Sequence, residues 1–236
     1  MNDIWQAYRE GAAAISTFFT KRPDDLYLMN PTPRALDPLL VDEINQYQEQ
    51  IGSTGRLGTT DIIVATGQQP GLFTGPLYTL YKGLTAIKLA EDLASRWAVP
   101  VRTVFWVASS DHDIDESGVA HFLTRRHELL SLDYPDKEKV RGMPLSKVPI
   151  VPGLRDVVRI ASEETPGCEG KEDVLSFLYG TLDESHSLAE WSTRLLARLF
   201  RGFPIVFLEP SLPGIRRIAA SVFRKELEDP IRLSLL

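Results

Sequence analysis

Asp61-Ile-Ile-Val-Ala-Thr-Gly-Gln-Gln-Pro-Gly-Leu-Phe-Thr-Gly-Pro-Leu-Tyr-Thr-Leu-Tyr-Lys82 opens on a short β-branched run and closes on an amphipathic one. Residues 61–65, bounded by Gly67, suit a buried parallel strand. Residues 66–75 read as a glycine-rich loop, and Pro76 fits the first turn of a helix, where its missing N–H costs nothing. Leu77, Leu80, Tyr81, Leu84, Ile87 and Ala94 mark one helical face to about Arg96. Val99-Pro-Val-Arg-Thr-Val-Phe-Trp-Val-Ala108 is a second buried strand, with Trp106 in its core, and it ends at Ser109-Ser-Asp-His-Asp-Ile-Asp-Glu116. Strand, loop, helix and strand in this order make a βαβ unit with parallel strands. Both polar loops then lie at the carboxyl ends of strands, where open α/β sheets bind ligands.

Outward from this unit the pattern is plainer. Ile4, Tyr8, Ala12, Ile15 and Phe19 predict a helix over residues 3–20, and the three prolines within 21–35 predict a linker. A second helix is expected from Leu36 to Ile51, broken by the glycines of 52–58. From Thr124 to Gly170, β-prone pieces (His127–Leu132, Val148–Val151) alternate with Pro and Gly and read as an inserted, partly β subdomain. Lys171–Tyr179 and Leu188–Phe200 read as helices, Pro204–Leu208 as a third buried strand, and Ile215–Leu227 as a last helix. The expected units are a helical segment (1–58), the first half of a core (59–123), an insertion with helices (124–200) and a third core strand with its helix (201–236). No internal repeat is visible.

The 236 residues are 43% hydrophobic and 25% charged, as in ordinary globular proteins. A net charge of −6 argues against nucleic acid as the main partner, since such affinity comes from neutralising phosphates. Arg216-Arg217 with Arg224-Lys225 reads as a solvated helix face. A single cysteine, Cys168, excludes a disulfide framework and a cysteine-rich zinc site. No apolar run approaches the ~20 residues of a membrane span, and Met-Asn-Asp-Ile-Trp lacks the form of a signal peptide, so the expected location is the cytoplasm.

Two constellations carry candidate chemistry. In the loop, Gly67, Gly71 and Gly75 let backbone approach a ligand, Gln68, Gln69 and Thr74 offer hydrogen bonds, and Lys82 on the following helix can offset a phosphate or carboxylate. The loop is neither a Walker loop nor a Gly-x-Gly-x-x-Gly turn. At the end of the second strand, Asp111-His112-Asp113 gathers three titratable groups suited to proton transfer or to orienting a charged substrate, with Ser109 beside them. Asp113 and Glu116 also have the spacing of a helix cap. His121 follows His112 at a spacing that matches no common zinc signature, so no metal is predicted; His127 and His186 read as surface residues. There is no Gly-x-Ser-x-Gly elbow for a serine hydrolase.

Residues 66–82 and the run Val104-Phe-Trp-Val-Ala-Ser-Ser-Asp-His-Asp113 closely resemble the cysteine ligases of bacillithiol biosynthesis, and Glu190-Trp191, Leu199-Phe200, Val206-Phe-Leu-Glu-Pro210 and Phe223-Arg-Lys-Glu-Leu227 continue the resemblance. The resemblance implies an α/β fold: a Rossmann-like parallel sheet akin to nucleotidylyltransferases and class I aminoacyl-tRNA synthetases, interrupted by inserted connecting segments. It implies addition of cysteine to glucosaminyl-malate as an amide, with those two small molecules as partners. Asp111 and His112 would orient the amine or move its proton. Gly67, Gln68, Gln69, Gly71, Thr74, Gly75, Lys82, Ser109 and Asp113 would bind substrate or nucleotide. ATP is an implied cofactor by analogy with the synthetases, although their His-x-Gly-His signature is absent from the loop. Family members are longer, with a second half of the core and a C-terminal coiled coil that forms a dimer, and this chain is expected to stop before both. Two other readings stand beside this one: an adenylating enzyme of nucleotidylyltransferase type acting on another acceptor, and an inactive or partner-dependent fragment.

Overall fold

The run Ile62–Gln68 forms β1 and Val101–Val107 forms β2, paired in parallel from Ile62↔Val101 to Gln68↔Val107 in the computed structural model, which describes residues 4–12, 18–19, 21–29 and 31–228. Between them α3 (Leu77–Trp97) lays Thr79, Gly83, Ala86, Ile87, Ala90 and Leu93 against both strands, a buried stripe at helical spacing. Gly83 is the tight point: a Cβ there would meet the Phe200 ring at 2.5 Å. Ile205–Leu208 forms β5 and joins β2 in parallel, giving the order β1-β2-β5. The expected Rossmann-like parallel sheet is therefore present.

The two outer edges of this sheet differ. Along β5, Gln48 of α2 (Pro38–Gln50) takes the place of a neighbouring strand. Its Oε1 accepts the Phe207 N–H at 2.9 Å, and its Nε2 donates to the Phe207 carbonyl at 2.7 Å. Along β1, no further strand pairs among the described residues, and Ile63 is 41% exposed.

The insertion has its own apolar core. Leu132, Leu145, Leu154, Val158, Leu182 and Trp191 pack together, and Leu72 from the β1–α3 loop joins them. That core holds an antiparallel hairpin of β3 (Val119–Leu123) and β4 (Leu129–Asp133), preceded by the one-turn α4 (Ile114–Ser117). Three helices follow: α5 (Gly153–Glu164), α6 (Lys171–Glu184) and α7 (Leu188–Leu199). Ser187 caps α7 by accepting the Glu190 N–H. The chain continues through β5 into α8 (Pro213–Glu228).

Several expectations need correction. The N-terminal helix α1 covers only Ile4–Glu10, because Gly11 turns the chain at φ +68; residues 3, 13–17 and 20 of the expected helix lie outside the described ones. The 21–35 stretch contains a 3-10 turn, Pro23–Leu28. β1 is a half-exposed edge strand rather than a buried one, and it runs on through Thr66, Gly67 and Gln68 of the expected loop. The hairpin begins before Thr124, at Val119, and Val148–Val151 forms no strand beyond an isolated bridge between Pro149 and Ser187. The stretch assigned to β pieces also holds α5, whose Leu154, Val157, Val158 and Ala161 make a buried helical stripe.

Candidate functional site

Gln68 ends β1 and Gln69 follows it, one strand away from Asp111 in the turn after β2, so the parallel register alone brings the two motifs to one edge of the sheet. A continuous run of hydrogen bonds crosses that edge. Lys82 Nζ donates to Gln68 Oε1 at 2.8 Å, Gln68 Nε2 to Gln69 Oε1 at 2.9 Å, and Gln69 Nε2 to Asp111 Oδ2 at 3.1 Å. An ammonium only donates and a carboxylate only accepts, so the two ends set the direction of both amides. Glu116 Oε2 stands 3.5 Å from the same Gln69 nitrogen. Lys82 also lies over the Tyr78 ring, 5.0 Å from its centroid.

Asp111 is held from its other side as well. Its Oδ1 accepts the Asp113 N–H at 2.9 Å. This backbone hydrogen bond is the main reason its carboxyl sits below the usual carboxylate range; partial burial works against it, and the Gln69 amide reinforces it. Asp111 therefore has a structural task that its sequence position did not announce. Asp113 caps α4 by accepting the Glu116 N–H at 3.0 Å, as its spacing predicted. The His112 side chain is exposed and makes no hydrogen bond to another described residue.

The glycine-rich loop is pinned rather than open. The Gly71 N–H donates to Ser192 Oγ at 3.2 Å, and Phe73 packs edge-on against Phe122 and Trp191. Phe73, Thr74 and Gly75 all have positive φ (51°, 78° and 75°), which is costly for the two that carry a Cβ. The Thr74 and Gly75 amides bond back to the Gly71 and Leu72 carbonyls. The amides of Gly71, Thr74 and Gly75 are thus already engaged, and the groups this loop offers a ligand are the side chains of Gln68 and Gln69, with Lys82 behind them. Gly67 serves a close approach: a Cβ there would meet the Trp106 carbonyl oxygen at 2.5 Å.

Ser109 is 1% exposed, and its hydroxyl is committed to the Glu209 carboxylate at the end of β5. The same Glu209 oxygen accepts the Ser211 N–H at 3.0 Å. Sequence reasoning missed Glu209, although a carboxylate directly after a buried strand, in Val206-Phe-Leu-Glu-Pro210, was a signal. The turn after β2 is fixed in turn: the Leu145 N–H donates to the Asp111 carbonyl at 2.7 Å and the Ser146 N–H to the Ser109 carbonyl at 2.9 Å. Trp106, expected in the core, is 42% exposed. His121 Nδ1 lies 2.8 Å from Ser131 Oγ on the hairpin, away from this run. Cys168 is a free, exposed thiol. Among the described residues no group of three or more His, Cys, Asp or Glu side chains gathers around a point that could hold a metal ion, and no helix is long and apolar enough to cross a membrane.

Comparison with known proteins bears on the same motifs. A family described as bacillithiol biosynthesis BshC, N-terminal Rossmann-like domain, matches residues 2–234. Relatives carrying the name "Putative cysteine ligase BshC" include one from Salinibacter ruber, 31% identical over 230 residues, covering 96% of this chain and 40% of that protein. Another, from Symbiobacterium thermophilum, is 36% identical over 185 residues, covering 73% of this chain and 33% of that protein. One from Prosthecochloris aestuarii is 34% identical over 167 residues, covering 70% and 29%. The chain thus spans well under half the length of these curated relatives. With the family matched over almost all of its length, the chain belongs to the BshC N-terminal Rossmann-like domains of bacillithiol biosynthesis.

Proposed function

We propose that this chain carries site residues of a cysteine ligase of bacillithiol biosynthesis, which joins the carboxyl of cysteine to the amine of glucosaminyl-malate as an amide. The observation that supports this most is the Lys82–Gln68–Gln69–Asp111 run, built entirely from the two motif stretches. It sets a cation and a carboxylate at opposite ends of a fixed span, an arrangement suited to a substrate that carries both an anionic group and an amine.

Amide formation joins the amine nitrogen to an activated carboxyl carbon, breaks the bond from that carbon to its activating oxygen, and releases one proton from the amine. Asp111, kept ionised by the Asp113 N–H, is suited to accept an N–H from the incoming amine and orient it. A carboxylate with a lowered pKa is a weak base, so the proton is assigned to His112, the imidazole next to it. Lys82 offsets negative charge on the substrate. Gln69 sets the separation between the two ends. Gly67, Gly71, Thr74 and Gly75 shape the loop, and Ser109 and Asp113 hold the turn that presents Asp111. Adenylation of the cysteine carboxyl by ATP is the activation step this reading calls for.

The test is mass-spectrometric detection of cysteinyl-glucosaminyl-malate after incubating the purified chain with cysteine and glucosaminyl-malate, with and without ATP, alongside Asp111→Asn and His112→Ala. The reading expects product from the native sequence and its loss in both variants, with His112→Ala at nearly unchanged melting temperature. No product from the folded native chain under either condition overturns the reading for this chain.

A further inference from the structure

The insertion holds an opening of its own, walled by α5, α6, α7 and the Phe73–Thr74 bend of the glycine-rich loop. Its volume is about 610 Å³, within the usual range of small-molecule sites. Val158 and Leu195, 0% and 4% exposed, are its most buried members, and Phe73, Phe122, Phe177 and Leu178 stand half-buried around them. Val174 and Leu199 also border it and are 57% and 55% exposed. A cleft lined this way leaves a contiguous apolar surface in water, which marks a place where something binds.

Three charged side chains border this wall: Lys171, Asp173 and Arg198. Lys171 is committed within the protein, its Nζ donating to the Ser162 and Thr165 carbonyls at the end of α5. Asp173 lies in the first turn of α6, where a carboxylate suits the helix dipole, and it pairs with neither cation. Arg198, in the last turn of α7, has no ion pair or side-chain hydrogen bond with a described residue; its guanidinium lies over the Phe177 ring, 5.8 Å from the centroid. Arg155, Arg159 and Arg194 of the same helices all pair with carboxylates. The opening therefore joins an apolar interior to a single unpaired guanidinium. Its walls are tied together beforehand. Arg155 of α5 pairs with Asp183 of α6, Trp191 Nε1 of α7 donates to Thr181 Oγ1 of α6 at 3.1 Å, and the Phe73 ring meets Phe122 edge-on at 5.1 Å.

A ligand with several charges would find one partner here and leave the others unmatched. An extended peptide would bury its N–H and C=O groups against helices whose own backbone groups are already paired. A hydrocarbon chain has no polar groups to leave unsatisfied and bends to follow an irregular wall. We infer that the insertion pocket binds a flexible aliphatic chain bearing one carboxylate, with the chain against Phe73, Phe122 and Leu178 and the carboxylate at Arg198. The inference stands apart from the ligase reading, since nothing in it requires an amide to form.

The experiment is calorimetric titration of the purified chain with decanoate, octanoate and decylammonium. Decanoate is expected to bind saturably, with Kd below about 1 mM. Each buried CH2 is worth about fourfold in affinity, so octanoate should bind roughly tenfold more weakly. Decylammonium keeps the tail and reverses the charge, and should bind more weakly than decanoate. Arg198→Gln removes the cation and Leu199→Glu sets a carboxylate beside it; both positions are exposed, so the fold is kept, and each should weaken decanoate at least about threefold. Leu129→Glu, on the hairpin outside this wall and 70% exposed, should bind decanoate as the native sequence does. Absence of saturable decanoate binding, decylammonium binding as tightly as decanoate, or equal affinity in Leu199→Glu and the native chain overturns the inference. So does a dimer that Leu199→Glu dissociates and decanoate does not, because the wall would then belong to a second copy.

Discussion

Replacing Gln48 by leucine keeps the side-chain volume nearly constant and deletes the group that closes the outer edge of β5. Gln48 is fully buried, and Phe207 behind it is as well. In the native chain the Phe207 N–H and carbonyl each find a partner on the Gln48 amide, at 2.9 and 2.7 Å, and the Gln48 nitrogen also donates to the Ile44 carbonyl at 3.1 Å. Leucine offers neither donor nor acceptor. Each buried backbone group left unpaired costs about 1–3 kcal/mol, so the two at Phe207 cost about 2–6 kcal/mol. The Ile44 carbonyl keeps its helical bond and adds little. Burying the leucine methyls where the amide stood returns about 1 kcal/mol. The expected loss is therefore roughly 1–5 kcal/mol, a large share of the 5–15 kcal/mol that holds a typical domain. Equilibrium urea unfolding followed by circular dichroism measures it as a lower midpoint at unchanged slope. A Gln48→Leu midpoint equal to that of the native chain would refute the reasoning, because water or a moved backbone would then be satisfying the edge.

Three further outcomes follow from the site. Gly67→Ala should lower stability by about 1–3 kcal/mol, since its Cβ meets the Trp106 carbonyl oxygen at 2.5 Å and β1 must shift away from β2; an unchanged thermal melt would contradict this. Asp111 has its pKa depressed in the folded state, so its contribution to stability is present above its ordinary carboxylate pKa and fades as pH falls through the lower folded value. Asp111→Asn should therefore lower stability near pH 7, where the charged carboxylate makes its contribution, and its gap to the native chain should close as pH falls below about 4. Ser109→Ala leaves the buried Glu209 carboxylate with the Ser211 N–H alone and should cost about 1–3 kcal/mol in urea unfolding; Ser110→Ala, one residue on and exposed, should cost nothing measurable.

How much of this was readable in the residues divides by range. β1, α3 and β2 were legible because each pattern is local: β-branched runs for the strands, and Leu80, Ile87 and their neighbours for the helix. The cap at Asp113 was legible for the same reason. α5 was not read, although Leu154, Val157, Val158 and Ala161 keep the helical period, because Pro152 and Gly153 at its start and the paired valines look like strand and turn. The exposure of β1 could not be read, since a short apolar strand looks the same at an edge as at the centre; which it is depends on neighbours in space. In the candidate site, the residue types were visible but their order was not. That Gln69 rather than His112 meets Asp111, and that Glu209 holds Ser109 from 100 residues away, are facts of the parallel register and of the insertion folding back.

The inequality of the two sheet edges bears on where a further strand can join the sheet. Ile62–Gln68 presents a row of unpaired backbone groups with neither charge nor proline to blunt it. The opposite border is occupied by Gln48 and by the backbone at Gly55, which leaves no room for a Cβ beside the Ile205 carbonyl. The sheet can therefore be extended on one side and not on the other: a strand that adds to it can pair along β1, while the Gln48 border has no backbone groups left to offer.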